Sequence, residues 1–162
     1  MMIRNLVESD AAAVLVIYQQ GLDSGEASFE TRAPKWRVWN KKYLPVCRLI
    51  AQQDDQVLGW AALAAVSARD CYRGVAEVSV YVASEHLGRG IGNALMAALV
   101  SASENNGIWS LYSSIFPENK ATLRLHLRHG FREVGIRERI AQQDDRWRDT
   151  MILERRSTVV GN

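Results

Sequence analysis

SEHLGRGIGNALMAALV, residues 84–100, sets glycines at 88, 90 and 92 between an apolar run and a helical pattern. Glycine loses more freedom on ordering than any other residue, so three within five positions need a reason. The first turn of a helix carries N–H groups with no intrahelical partner and a partial positive charge. Glycine lets such a backbone close on a bulky anion with no Cβ in between. A plain strand-to-helix turn needs one glycine at most. Gly88, Arg89, Gly90, Ile91, Gly92 and Asn93 are therefore expected to hold a pyrophosphate, with Arg89 adding a cation. Two other phosphate motifs do not fit. A dinucleotide G-x-G-x-x-G would need glycine at 93 or 95, where Asn93 and Leu95 stand, and an acid ~20 residues later. A P-loop would need G-K-[ST], which the chain lacks.

Outward from the turn, VAEVSVYV (75–82) reads as the strand leading in. GIGNALMAALVSASENN (90–106) is a helix on which Ile91, Leu95 and Leu99 recur. Toward the N-terminus, MIRNLV (2–7) is a strand, and Ser9 and Asp10 are expected to cap a helix through AAAVLVIYQQGL (11–22). SGEASFET (24–31) is a loop. Pro34 suits the first turn of a second helix with Trp36, Val38, Trp39 and Tyr43 on its apolar face. CRLIAQ (47–52) and VLGWAALAAV (57–66) form a hairpin, and SARDCYRG (67–74) is a loop. Toward the C-terminus come a strand, IWSLYSSIF (108–116), and a helix, NKATLRLHLRH (119–129), stopped by Gly130. A terminal hairpin pairs REVGIRERIA (132–141) with WRDTMILERR (147–156). AQQDD occurs at 51–55 and at 141–145, each time at a hairpin turn, which is turn chemistry rather than duplication. The order β-α-α-β-β-β-α-β-α-β-β, with hairpins first and a crossover helix later, predicts an α+β fold on a mixed sheet.

The length, 162 residues, fits one domain spanning 1–162. Twenty basic and 18 acidic residues leave a net charge of +2. That excludes a nucleic-acid-binding balance while suiting an anionic ligand. Cys47 and Cys71 form no C-x-x-C and are expected to be small buried hydrophobes in a reducing compartment. His86, His126 and His129 lack metal-ligand spacing, so no metal is expected, and His86 and His129 are expected at the surface. No signal peptide is read, and no apolar run reaches the ~18 residues of a membrane helix, so the cytoplasm is the expected location.

In VAEVSVYV the residues Ala76, Val78, Val80 and Val82 alternate with Glu77, Ser79 and Tyr81, which puts the latter on one face. A carboxylate in an otherwise apolar strand is costly unless it is paired or functional. A strand feeding an anion-binding turn is expected to be central and covered, which favours function for Glu77.

LGRGIGNAL (87–95) resembles the acyl-CoA turn of the GNAT superfamily of N-acetyltransferases, [QR]-x-x-G-x-[GA]. Gly90 and Gly92 match, and Leu87 stands where the family prefers Gln or Arg. PENKATLRLHLRHGF (117–131) is similar to the family's later helix, with Asn119, Leu125, Gly130 and Phe131 in register. Within the superfamily, ASFET (27–31), YRGVAEVSVYV (72–82), FPEN (116–119) and RWRDT (146–150) resemble the phosphinothricin and methionine sulfone–sulfoximine acetyltransferase branch.

That resemblance implies an acetyl-CoA-dependent N-acetyltransferase acting on the α-amino group of a small amino acid analogue. It implies Glu77 as the base that takes the ammonium proton, since the amine must be neutral to attack. It implies that the backbone of a bulged Val80–Tyr81–Val82 pairs with pantetheine, a N–H near Val80 polarising the thioester carbonyl. His126 stands where many members place a tyrosine; it is either a general acid for the thiolate or a residue lining the coenzyme tail. Asn119 is a natural N-cap and, by resemblance, also a pantetheine contact.

On the substrate side, Arg69 and Arg73 in the loop before the strand are candidates for an anionic group, the resemblance favouring Arg73. Phe29, Trp60, Tyr72 and Trp147 could wall a pocket, although Trp60, mid-strand, is better placed for the core. The resemblance also implies a homodimer formed near the terminal hairpin. Two other functions remain open: a protein or peptide N-terminal acetyltransferase, and a non-catalytic coenzyme A-binding module.

Overall fold

The computed structural model describes residues 1–162. The elements are β1 (Met2–Asn5), α1 (Ala11–Asp23), α2 (Trp36–Lys42), β2 (Leu49–Gln53), β3 (Gln56–Ala65), β4 (Val75–Val82), α3 (Ile91–Asn105), β5 (Ser110–Ile115), α4 (Lys120–Arg128), β6 (Arg132–Gln143) and β7 (Arg146–Arg156). This is the expected order. One seven-stranded sheet runs β1-β2-β3-β4-β5-β7-β6. Only β4 and β5 are parallel, joined by the α3 crossover, so the sheet is mixed as the order of hairpins and crossover requires.

Alternation along the central strands buries both faces. On one face Ile91, Leu95, Met96 and Leu99 of α3 pack on Leu49, Ala61, Leu63, Val78, Leu111 and Leu153. On the other, Val14, Ile17 and Tyr18 of α1 and Trp39 of α2 pack on Ile50, Trp60, Ala62 and Ala64. The second layer is aromatic. Trp60 is fully buried, stacks on Tyr81 at 4.9 Å and meets Tyr18, Trp39 and Tyr43 edge-on. Trp60 is thus core, as its mid-strand position suggests. A Cβ on Gly21 would lie 2.5 Å from the Tyr81 ring, so that glycine is what lets α1 settle onto β4.

The two AQQDD copies adopt the same local structure. Asp54 and Asp55 have φ of 47° and 63°, and Asp144 and Asp145 have 49° and 60°. Two successive left-handed residues match the right-handed twist of a two-residue hairpin.

Several local expectations are corrected. Asp10 precedes α1 but caps nothing in it; its carboxylate turns back to the Val7 N–H (2.9 Å) and the Arg4 guanidinium (2.7 Å). Ion pairing with Arg4 holds that carboxyl below the usual range. Pro34 lies outside α2, whose N-cap is Lys35, and Val38 faces solvent while Trp39 is buried. Cys71 is exposed, unlike Cys47. His86 and His129 are half-buried rather than surface residues, engaged by Arg89 and Asn93 respectively.

Candidate active site

The site arises where β4 and β5 part. Along β3, β4 pairs residue for residue from Ala76 to Val82, so the expected bulge is absent from that ladder. Along β5 it pairs only from Val75 to Glu77. Ala83 N–H donates to Leu58 O at the end of the β3 ladder. Antiparallel alternation then turns the main-chain groups of Tyr81 and Ser79 toward β3 and those of Val78, Val80 and Val82 toward the opening. Beyond Glu77 that edge has no strand partner, and exposed main-chain N–H and C=O groups there can be paired by an extended ligand. Tyr81 differs from its neighbours: its main chain belongs to β3 and its ring lies between Trp60 and Tyr18 while lining the cleft.

At the open end stands the glycine turn. Gly88 and Gly90 have φ of 75° and 80°, in the left-handed region. A Cβ on either would meet nothing within 4 Å, so the space over them is free. Gly90 is the N-cap of α3 and offers no side-chain cap, which leaves the first N–H groups of the helix for a ligand. Arg89 is exposed beside them. The other turn residues have different surroundings. Ile91 is buried in the core, a Cβ on Gly92 would lie in ordinary contact with Leu125 and Val82, and the Asn93 amide oxygen bonds His129 Nε2 at 3.0 Å.

The cleft between these strands has a volume of about 270 Å³. Glu77 lines it half-buried, and desolvation raises its pKa, with nearby Lys42 opposing the shift. Ser79 beside it accepts from the Tyr43 hydroxyl at 3.1 Å. Such a carboxyl holds a proton more readily than a solvated one, which brings it closer to the task of a base at neutral pH.

His126 also lines the cleft. It is 4 % exposed, and its Nδ1 lies 2.8 Å from the Thr122 carbonyl. A carbonyl only accepts, so Nδ1 carries the proton. Burial lowers the imidazole pKa and so favours the neutral ring, in which the unpartnered Nε2 presents a lone pair. Thr150, also buried on the cleft wall, has an unpartnered hydroxyl. Asn119 does cap α4, its Oδ1 accepting from Thr122 N–H at 3.1 Å, and its Nδ2 donates to Glu26 O.

Sequence reasoning missed Arg148. This residue is 6 % exposed, lies 3.5 Å over the Phe116 ring and donates to Gly25 O at 2.7 Å. Glu26 and Glu118 lie at 3.5 Å. Together with Asn119, and with Gln143 donating to Ser28 O, it holds residues 25–28 over the cleft. Arg148 lies within RWRDT, but Arg146, Asp149, Glu154, Arg155 and Arg156 stand on the same strand, so its charge alone did not set it apart.

Of the residues expected at a substrate mouth, Phe29 lines the cleft and meets Phe116 edge-on at 5.0 Å. The others are not brought to it. Arg69 lies over Tyr72, Arg73 over Trp109 with an ion pair to Asp70, and Trp147 is 58 % exposed on β7. Tyr72 is exposed. The loop before β4 turns outward because Gly74 O pairs with the N–H groups of Trp109 and Ser110, on the side away from the cleft. Glu77 also lines a second groove, with Tyr112, Ile152 and Arg137. No group of side chains with the makeup of a metal site is found, and no helix is long and apolar enough to cross a membrane.

Comparison with known proteins places this geometry. The model of the acetyltransferase (GNAT) family matches residues 15–131. A phosphinothricin N-acetyltransferase of Alcaligenes faecalis is 30% identical over 159 residues, covering 94% of this chain and 81% of its own. An L-methionine sulfoximine/L-methionine sulfone acetyltransferase of Pseudomonas aeruginosa is 26% identical over 166 residues, 94% of this chain and 92% of its own. The crystal structure of a GNAT superfamily phosphinothricin acetyltransferase from Sinorhizobium meliloti in complex with AcCoA superposes with a TM-score of 0.87 at 25% identity. It covers 96% of this chain and 87% of that one.

Proposed function

The chain belongs to the acetyltransferase (GNAT) family, and from that premise we propose that residues 1–162 form one acetyltransferase domain that uses acetyl-CoA to acetylate the α-amino group of a small amino acid analogue. The acceptor is of the phosphinothricin, methionine sulfoximine or methionine sulfone type, after the relatives so named. The observation that carries this reading is the parting of β4 from β5 at Glu77, which sets a half-buried carboxylate at the start of an unpaired strand edge.

The residues present fit the coenzyme: open left-handed glycines at an uncapped helix start suit a diphosphate, and the free edge of β4 suits an amide-bearing arm. When bound, acetyl-CoA supplies an acyl thioester with a tolerable leaving group. Gly88, Arg89 and Gly90, with the main chain of Ile91, Gly92 and Asn93, hold the diphosphate. Val80 N–H, directed to the opening, polarises the acyl carbonyl, and Val82 pairs further along. Tyr81 contributes a ring wall rather than main-chain groups. Glu77 takes the ammonium proton, directly or through water, and its raised pKa suits that work. His126 has no proton at Nε2 when neutral, so its role is to line the site and accept a hydrogen bond. Phe29 bounds the cleft in which the amine meets the acyl group. Arg69, Arg73 and Trp147 are outside this cleft within one chain.

We also propose that a second copy of this chain covers the terminal hairpin, where Ile136, Ile140 and Trp147 are each about half exposed. Light scattering at micromolar concentration should give the mass of a dimer.

The test of the acceptor is thiol release from acetyl-CoA against a panel of amino acid analogues and peptide N-termini. Turnover is expected on methionine sulfone, methionine sulfoximine or phosphinothricin. Turnover confined to peptides would replace this reading, and a coenzyme A-induced rise in Tm without turnover on any amine would leave a binding module.

A further inference from the structure

The acyl cleft and the second groove, of about 480 Å³, have Glu77 as the one lining residue in common. The base must reach the amine and the amine must reach the acyl group, so a carboxylate shared by both spaces can take the ammonium proton of an acceptor delivered by the second groove. Its lining includes the apolar Val66, Tyr112, Val134 and Ile152 and, besides Glu77, the charged Glu154 and Arg137. The Glu154 carboxylate is already held by Arg132 at 2.6 Å. Arg137 takes part in no ion pair. Glu77 on β4 and Arg137 on β6 lie three strands apart in the sheet order, roughly 14 Å between backbones at ~4.8 Å per step. The two side chains cover part of that span, and the gap need hold only the amine and carboxylate of an α-amino acid, which share one carbon.

We infer that Arg137 binds the carboxylate of the acceptor and so selects free amino acids over simple amines and peptide N-termini. The inference rests on the amino-acid reading above. A guanidinium fork matches a carboxylate bidentately. The apolar residues of the groove take the acceptor's side chain, and the amine, on the same carbon as the carboxylate, faces Glu77. Arg69 and Arg73, the cations expected in this role, line neither the cleft nor this groove. Arg137 replaces them through a strand brought alongside from the far end of the chain.

The experiment compares methionine sulfone with its carboxamide as acceptors for the wild type, Arg137→Gln and Arg137→Lys. Losing one charge-assisted contact should raise KM for the acid in Arg137→Gln by about tenfold or more. The acid-to-amide ratio of kcat/KM should fall by the same factor, with Arg137→Lys recovering part of it. Arg137 is exposed on β6, so the variants should fold with unchanged Tm. A wild type that acetylates methionine sulfone, paired with an Arg137→Gln variant that keeps the acid-to-amide ratio, overturns this assignment alone. A wild type active on peptide N-termini and inert toward every free amino acid overturns the acceptor reading and this inference with it.

Discussion

The two edges of β4 contrast within a single strand. On the β3 side every residue from Ala76 to Val82 is laddered, and the stacked pair Trp60–Tyr81 seals the layer beneath α1 and α2. On the β5 side the ladder stops at Glu77 and the strand edge opens into the cleft. The contrast separates two uses of costly residues. On the sealed edge an aromatic cluster stabilises the fold by burial; on the open edge a carboxylate and unpaired main-chain groups are kept at the expense of stability. That is how strain and desolvation concentrate at sites that do chemistry.

Changes on the two edges should therefore be read out differently. The largest effect belongs to Glu77→Gln, expected to lower kcat by about 10²–10⁴-fold while sparing the KM for acetyl-CoA. Steady-state kinetics with both substrates varied would show it, and full turnover in this variant would end the distinction between the edges. Next is Trp60→Ala on the sealed edge, expected to cost about 3–5 kcal/mol in denaturant unfolding. Its effect on kcat should follow the folded fraction. A variant that stays as stable as the wild type yet loses turnover would show that the two edges are not separate. Gly90→Ala should cost about 1–2 kcal/mol, because the left-handed conformation disfavours a Cβ. The added methyl points into free space in the unliganded protein, so the added effect is a raised KM for acetyl-CoA. A KM unchanged by this substitution would detach the glycine turn from the coenzyme.

The smallest expected effect is a pH dependence. Burial raises the Glu77 pKa, so between the ordinary carboxyl value of about 4.3 and the raised one the native state holds more protons than the unfolded state. Its contribution to stability falls as pH rises through that interval. Glu77→Gln removes the slope, and should unfold at higher denaturant than the wild type at pH 7 but at nearly the same point at pH 4. His126 works in the opposite sense: its lowered pKa stabilises the fold above the ordinary imidazole value and ceases to as pH falls. A Glu77→Gln variant less stable than the wild type at pH 7 would place the carboxylate in a structural ion pair instead.

Much of the site's frame is legible in the residues. Period-two alternation put Glu77, Ser79 and Tyr81 on one face, and the pairing of β4 with β3 keeps them there without a register shift. The glycine spacing marked the start of α3, and the two Asp-Asp turns marked both hairpins. Less legible was what each side chain would touch. Asp10 reads as a cap because caps are local, yet a partner six residues earlier, Arg4, drew its carboxylate away. Arg73 sits just before β4 in sequence, but the Gly74 contacts to Trp109 and Ser110 turn its loop aside. Arg148 and Thr150 reach the cleft region only because β7 enters the sheet beside β5.

The sequence by itself determined the order of elements, the mixed sheet, the glycine turn at 88–92 and the odd carboxylate at 77. These follow from periodicity, propensity and glycine conformation, which act over a few residues. Only the tertiary structure decided that β4 and β5 separate after Glu77, that Arg148 holds residues 25–28 in place, and that Arg137 rather than Arg69 or Arg73 shares a groove with Glu77. Those outcomes depend on which distant strands become neighbours and where they splay. Neighbourhood in a sheet is settled by packing across the whole chain, which no short stretch encodes.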